Sequence, residues 1–166
     1  MIPIVPVRLD WPSAIGNFIL NYGVLDWHIL VFLEARLPAD EFARIKGKYF
    51  QDRITLVKSL VASGQYSDEQ RQAFWKFFVR LDPIRELRNH IAHGHMLIRW
   101  QEDAMTWKVS LTLPKDLDAP EAPETRHLEF AELTKALIEL TGLIEEFNEL
   151  SDPWIEEKIE IHVKRS

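Results

Sequence analysis

The sequence predicts a mainly helical (all-α) protein, an up-and-down bundle of four or five helices with a small β-hairpin inserted after a helix that carries an arginine and a histidine. Apolar residues recur at helical spacing through most of the chain, and strict apolar and polar alternation begins only near residue 106. With 46% apolar and 28% charged residues the composition is typical of a globular protein. We interpret residues 1–166 as one domain, because a chain of this length buries one sizeable core.

The first helix is predicted to begin after Asp10, which suits an N-cap, and to end near Pro38. Its apolar stripe contains Ile15, Phe18, Ile19, Tyr22, Ile29, Leu30 and Leu33. On an ideal helix Asp26 falls only about 20° from Ile15 within this stripe. We therefore expect Asp26 to be an inward-facing carboxylate.

A second helix is predicted from Ala39 to the loop at Ser63 and Gly64. Its apolar stripe contains Phe42, Ile45, Tyr49, Phe50, Ile54, Val57 and Val61. Its basic residues are Arg44, Lys46, Lys48, Arg53 and Lys58. We interpret these as one solvated face, and a basic stripe of this kind is also able to follow a nucleic-acid backbone.

A third helix is predicted to begin at the capping sequence 67–70 and to stop before Pro83, which cannot donate a backbone hydrogen bond. Asp82 as N-cap and Pro83 in the first turn then predict a separate short helix. We expect this helix to end at Gly94 in the left-handed conformation that favours glycine.

A hairpin is predicted at about 95–113, because apolar residues alternate with Thr106, Lys108, Ser110 and Thr112. Its turn is expected near residues 102–103, and residues 114–123 form a proline-rich loop.

Acidic C-terminal helices are predicted at about 125–163, with a break at Ser151, Asp152 and Pro153. Their apolar stripe contains Leu133, Leu137, Leu140, Ile144 and Phe147.

The charge is distributed unevenly along the chain. Residues 1–99 carry 13 Lys and Arg against 10 Asp and Glu, whereas residues 100–166 carry 7 against 16, which gives +3 and −9 and the net −6. Net acidity alone argues against a nucleic-acid partner, but the acidity belongs to the C-terminal part. We interpret that part as a solvated acidic surface, with a partner-binding or RNA-mimicking role as the alternative.

The chain contains no cysteine, which excludes disulfides and thiolate sites and is consistent with a reducing compartment. The most apolar stretch, 18–37, is interrupted by Asn21, Asp26 and His28. The first residues lack the basic and long apolar regions of a signal peptide. We therefore expect a cytoplasmic protein with neither secretion nor membrane insertion.

Arg88 and His93 are the candidate functional residues. Arg88 falls about 40° from Ile84 on an ideal helix, inside the apolar stripe, so its guanidinium needs a carboxylate partner or a wet cleft. Asp26 is the expected partner, in either a structural or an orienting role. Arg88 and His93 diverge by about 140° on an ideal helix, so they converge only where the helix ends at Gly94 or across two copies of the chain.

The octet from Leu87 to Gly94 resembles the R-x4-6-H signature of HEPN (higher eukaryotes and prokaryotes nucleotide-binding) domains, including the polar Asn89 after the arginine. The resemblance implies an all-α homodimer in which two such motifs meet in a cleft and cleave RNA without a metal or other cofactor. It implies that Arg88 binds the scissile phosphate, that His93 acts on the ribose 2′-hydroxyl or the leaving oxygen, and that Asn89 positions the site.

The resemblance also implies partners and alternatives. Some family members are toxins paired with an antitoxin that modifies a tyrosine two residues after the histidine, a place occupied here by His95. Other members are inactive and bind only nucleotide, RNA or protein. A structural interaction protein, with Arg88 and Asp26 as an ion pair and His93 as a cap, is the third reading.

The histidines at 90, 93 and 95 raise the further possibility of a metal site. His90 and His93 share a helix face, but no cysteine or nearby inward carboxylate completes a tetrahedral ligand set. We expect no metal, and we interpret His90 and His95 as polar neighbours that support the cleft.

Overall fold

The computed structural model describes residues 10–64, 66–101, 106–112 and 125–163. The helices in these ranges are α1 (Trp11–Arg36), α2 (Ala39–Ile45), α3 (Phe50–Ser63), α4 (Asp68–His93) and α5 (Phe130–Val163). The strands are β1 (His95–Gln101), β2 (Thr106–Thr112) and β3 (Thr125–Leu128). The predicted mainly helical bundle with a small β insertion is confirmed. The turn predicted at 102–103 and the loop at 114–123 lie outside the described residues.

The core lies where α1, α4 and α5 pack together, and aromatic rings fill its centre. Phe32 of α1 contacts Phe74 of α4 and Phe147 of α5, with ring centroids 6.2 and 5.8 Å apart. Phe77 lies 5.3 Å from the same Phe147 ring. These rings bury large apolar areas at edge and tilted angles, which favours one fixed arrangement of the three helices.

The predicted starts of two helices are confirmed by their caps. Asp10 Oδ1 accepts a hydrogen bond from the Ser13 backbone N–H at 2.9 Å. Hydrogen bonding by the Ser13 side chain, together with this backbone bond, holds the pKa of the Asp10 carboxyl below its ordinary value. Ser67 and Gln70 form a reciprocal capping box at the start of α4. Each cap satisfies backbone donors that the first helical turn leaves unpaired.

The single helix predicted from Ala39 to residue 63 is wrong, because residues 46–49 separate α2 from α3. Arg53 from α3 folds back over this loop and donates to the carbonyl oxygens of Lys46 and Lys48 at 3.2 and 2.7 Å. These carbonyls are thereby satisfied without a continuous helix.

The break predicted at Pro83 is also wrong, since α4 continues through it. Proline leaves the carbonyl of Val79 without its helical partner, and Val79 and Pro83 both lie on the exposed side of α4. Leu81 and Ile84 are buried on either side of Pro83. Core packing therefore holds the two halves of α4 in line.

The C-terminal part is one helix preceded by a strand, so the predicted break at 151–153 is wrong. Ser151 is buried, and its hydroxyl donates to the Asn148 carbonyl at 3.2 Å within the helix. A serine that satisfies its hydroxyl in this way is compatible with a helix interior.

The sheet has the order β1, β2, β3 with antiparallel pairing, which confirms the hairpin and adds a strand that the sequence did not indicate. Val109, Leu111 and Leu128 are buried on the face toward the helices. The third strand has four residues, Thr-Arg-His-Leu, which is too short for an alternating pattern.

Helix α1 is the one helix in the described ranges that is long and apolar enough to cross a membrane, with a mean hydropathy of 1.3 over its most apolar window. Phe18, Leu25, Ile29 and Phe32 of α1 are fully buried in the core, whereas Leu20 and Trp27 are exposed on its outer side. The same helix thus supplies both core side chains and an apolar outer face.

Candidate active site

The candidate site lies at the C-terminal end of α4, where Arg88, Asn89 and His93 come together. Arg88 Nη1 lies 3.4 Å from His93 Nε2 and 3.3 Å from Asn89 Oδ1. His93 is the last residue of the helix and is exposed, whereas Arg88 and Asn89 are half-buried. The arginine and histidine thus meet at the helix end within one chain.

The contact defines which atom of the histidine faces the arginine. A guanidinium has only donors, so in this contact His93 Nε2 is the acceptor. The ring nitrogen that faces Arg88 is thus one that carries a lone pair.

Gly94 allows the chain to turn from α4 into β1, but not for the predicted reason. Its φ of −82° and ψ of 153° are extended, so the expected left-handed conformation is wrong. A Cβ at this position would lie 2.3 Å from the His90 carbonyl oxygen and 3.3 Å from that of Thr112. Glycine is required here because helix end and sheet backbone approach each other closely.

The buried ring of Tyr22 on α1 packs against the guanidinium of Arg88. The Arg88 Cζ lies 5.5 Å from the centroid of the Tyr22 ring, a cation–π distance. The ring also packs at 4.8 Å against Phe50 of α3. Burial raises the pKa of the Tyr22 hydroxyl, and the positive charge of Arg88 opposes that rise. Tyr22 is thus a neutral aromatic platform that holds the guanidinium at the edge of the core.

The expected pairing of Asp26 with Arg88 is wrong. Asp26 Oδ2 accepts from Arg53 Nη2 at 2.5 Å, and the Arg53 side chain is only 9% exposed. Arg53 was expected on the solvated basic face of its helix, which is also wrong. Arg53 reaches Asp26 because α3 packs on α1 at this level, while Arg88 is stabilised by the Tyr22 ring instead.

The Asp26 to Arg53 pair is incompletely satisfied. Among the described residues, the buried atoms Asp26 Oδ1 and Arg53 Nε have no hydrogen-bond partner. Arg53 nevertheless links α3 to two other places, since its Nη1 contacts the loop between α2 and α3 and its Nη2 contacts Asp26 on α1. The pair therefore fixes the position of α1, from which Tyr22 supports Arg88.

The two supporting histidines lie apart from the contact between Arg88 and His93. His90 Nδ1 is 2.8 Å from the Glu86 carbonyl, one turn back along α4, and its buried Nε2 has no partner in the described ranges. His95 is exposed at the start of β1, opposite Thr112. No group of three metal-ligating side chains occurs in the part of the chain that the structure describes.

Tyr22 and Arg53 are the contacts that sequence reasoning missed as parts of the site. Both had a signal in the sequence. Tyr22 lies on the inward stripe of α1, and Arg53 precedes the buried Val57 and Val61 by four and eight residues, which places it on the buried side of α3. Arg53 was grouped with the neighbouring basic residues as one exposed face, and its spacing to the buried valines was overlooked.

These features define a class, a helical-bundle protein with an arginine–histidine pair at the end of a helix beside a small sheet. No family model, curated protein or solved structure matches the chain. The resemblance of residues 87–94 to the HEPN signature therefore stays a prediction based on those residues.

Proposed function

We propose that the chain is a HEPN-like, metal-independent endoribonuclease of the toxin or defence type, acting in the cytoplasm as a homodimer. The observation that supports it best is the 3.4 Å contact of Arg88 Nη1 with the Nε2 of an exposed His93. A fixed cation beside a proton acceptor is the pair of groups that RNA cleavage without a metal needs.

In the proposed reaction the ribose 2′-oxygen attacks the adjacent phosphorus while its proton passes to His93 Nε2. The bond from phosphorus to the 5′-oxygen breaks, and that oxygen takes a proton from water. The products are a 2′,3′-cyclic phosphate and a 5′-hydroxyl end, and His93 returns its proton to solvent. Each bond and proton is accounted for without a cofactor.

Arg88 stabilises the charge that develops on the phosphate oxygens. Its contacts to Asn89 and His93 both use Nη1, and a guanidinium has five N–H donors, so phosphate can bind through the remaining ones. Asn89 Oδ1 accepts from Arg88 and thereby orients it, which is a positioning role. Tyr22 restricts the same group from the core side.

The test is cleavage of a labelled single-stranded RNA in excess EDTA. Arg88→Ala and His93→Ala are each expected to lower the rate by about 100-fold or more, because one removes the phosphate contact and the other the proton acceptor. Arg44→Ala and His28→Ala serve as matched controls outside the site and should retain the parent rate. Cleavage that survives both site substitutions, or that EDTA abolishes, contradicts the proposal.

One observation favours a second candidate, a catalytically silent RNA-binding module. The lone pair of His93 Nε2 that a base needs is engaged by Arg88. In that case Arg88→Ala weakens RNA binding, and the parent protein leaves the RNA intact.

A further inference from the structure

We infer that the exposed face of the β-sheet binds the backbone of single-stranded RNA and leads it to Arg88 and His93. This inference rests on the proposed function and names the surface through which the substrate is held. It comes from the register of the sheet, the charges on its outer face and its direct connection to α4.

The register separates the sheet into two faces. Val109, Leu111 and Leu128 are buried against the helices. The alternate positions form the outer face, which consists of His95, Leu97, Arg99, Lys108, Ser110, Thr112, Thr125 and His127. Most of these side chains are exposed, and the others are half-buried. We call this set the outer sheet face.

The outer sheet face is positively charged in a chain of net charge −6. Arg99 and Lys108 are directly opposite each other on β1 and β2, and both are exposed. The three strands contain no aspartate or glutamate. Like charges directly opposite on neighbouring strands are destabilising, and a bound anion relieves that repulsion. The pair therefore points to an anionic ligand at this place.

The rest of the face carries hydrogen-bonding groups and one apolar contact. Ser110 Oγ lies 3.1 Å from His127 Nδ1, and the hydroxyls of Thr112 and Thr125 are 3.2 Å apart. Hydroxyls and imidazoles bind phosphate and sugar oxygens. Leu97 on β1, which is opposite Ser110, is 47% exposed and can contact the face of a base. Such a mixture fits a nucleic-acid strand better than it fits a small inorganic anion.

The outer sheet face follows the candidate site directly along the chain. α4 ends at His93, Gly94 follows, and β1 begins at His95. Arg99 lies four residues further along β1, about 13 Å from His95 at the rise of a strand. Three strands span about 10 Å across, which suits one extended strand rather than a duplex. Proteins commonly bind single-stranded RNA on the face of a β-sheet, where the unstacked bases and the RNA backbone contact side chains of the sheet.

The experiment measures binding of a 2′-O-methyl RNA oligonucleotide, which cannot be cleaved through its 2′-oxygen, by fluorescence anisotropy over a range of salt. Arg99→Gln with Lys108→Gln should reduce the slope of log affinity against log salt by about 1.4, since each phosphate contact to a single strand contributes about 0.7. The control pair Arg44→Gln with Lys76→Gln removes the same charge elsewhere and should keep the parent slope. Lys108→Arg should also keep it.

An unchanged slope in the Arg99 and Lys108 variant overturns the inference, as does tighter binding of a duplex of the same sequence. If the parent cleaves RNA and the variant has an unchanged KM, the proposed function is supported, but the outer sheet face does not bind the substrate. Binding with the expected slope but no cleavage by the parent has the reverse meaning: the outer sheet face is supported, and the nuclease proposal fails.

Discussion

At the scale of single residues, Arg53 and Arg88 show two ways in which a positive charge is stabilised at the edge of this core. Arg53 pairs with a carboxylate and two backbone carbonyls, whereas Arg88 lies over an aromatic ring and contacts two polar side chains. The first arginine has its charge neutralised, so it is structural. The second keeps its charge available for a ligand, as phosphate binding requires.

Asp26→Asn is expected to lower the free energy of unfolding by about 2 kcal/mol, because it leaves the Arg53 charge without a counterion. The figure is below the range for fully buried pairs, since the Asp26 side chain is 27% exposed. Urea unfolding at neutral pH measures it. Asp40→Asn is the matched control, because its ion pair with Arg44 is exposed at 3.9 Å and should contribute less than about 0.5 kcal/mol. Equal effects of the two substitutions would contradict a structural role for Asp26.

At the scale of elements, helix ends and interruptions depend on what packs against them. Packing keeps α4 continuous through Pro83, while a stretch with good helical spacing is divided into α2 and α3. Local propensity amounts to a few kcal/mol at most, so core contacts override it. The end of α4 at Gly94 is an exception. Glycine favours a helix end by itself, and the close approach of the His90 and Thr112 carbonyl oxygens also requires a residue without a Cβ there.

Gly94→Ala is expected to destabilise the protein by about 1–3 kcal/mol, since the added methyl would overlap the His90 carbonyl. It should also lower RNA cleavage by displacing His93. Gly142→Ala is the control, because nothing lies within 4 Å of a Cβ there and alanine favours the interior of α5 by about 1 kcal/mol. Thermal unfolding and the cleavage assay compare the two. Stability of Gly94→Ala equal to that of the parent would contradict the close approach.

At the scale of the whole molecule, the bundle brings the site together from elements that are distant in sequence. α1 packs against α5 and α3, and Tyr22 on α1 then supports Arg88 on α4. The contact between Arg88 and His93 is complete within one chain. In a homodimer, each copy would therefore bring its own arginine and histidine to the cleft.

This arrangement predicts the outcome of mixing two inactive variants. Arg88→Ala and His93→Ala, refolded together so that mixed dimers form, should not regain cleavage, because neither chain holds a complete pair. A pair formed between chains would instead leave one intact site in each mixed dimer. Recovery of a substantial fraction of parent activity would show that the active arginine and histidine come from different chains of the dimer. A sample that stays monomeric would contradict the proposed homodimer.

The local features of the chain were determined by the sequence alone. The spacing of Arg88 and His93 ahead of Gly94, the caps at Asp10 and Ser67, and the alternation in β2 are local signals, and each led to the observed feature. They could be predicted because helix periodicity, capping and strand alternation act over a few residues.

The partners of these residues were decided only by the tertiary structure. Asp26 faces inward as its spacing predicts, but the cation that it pairs with depends on how α3 packs on α1. This packing places Arg53 beside Asp26. Arg88 lies over the ring of Tyr22 instead. The same packing carries α4 through Pro83 and sets β3 against β2. Contacts between distant segments depend on the free energy of the whole core, which no local pattern of residues encodes.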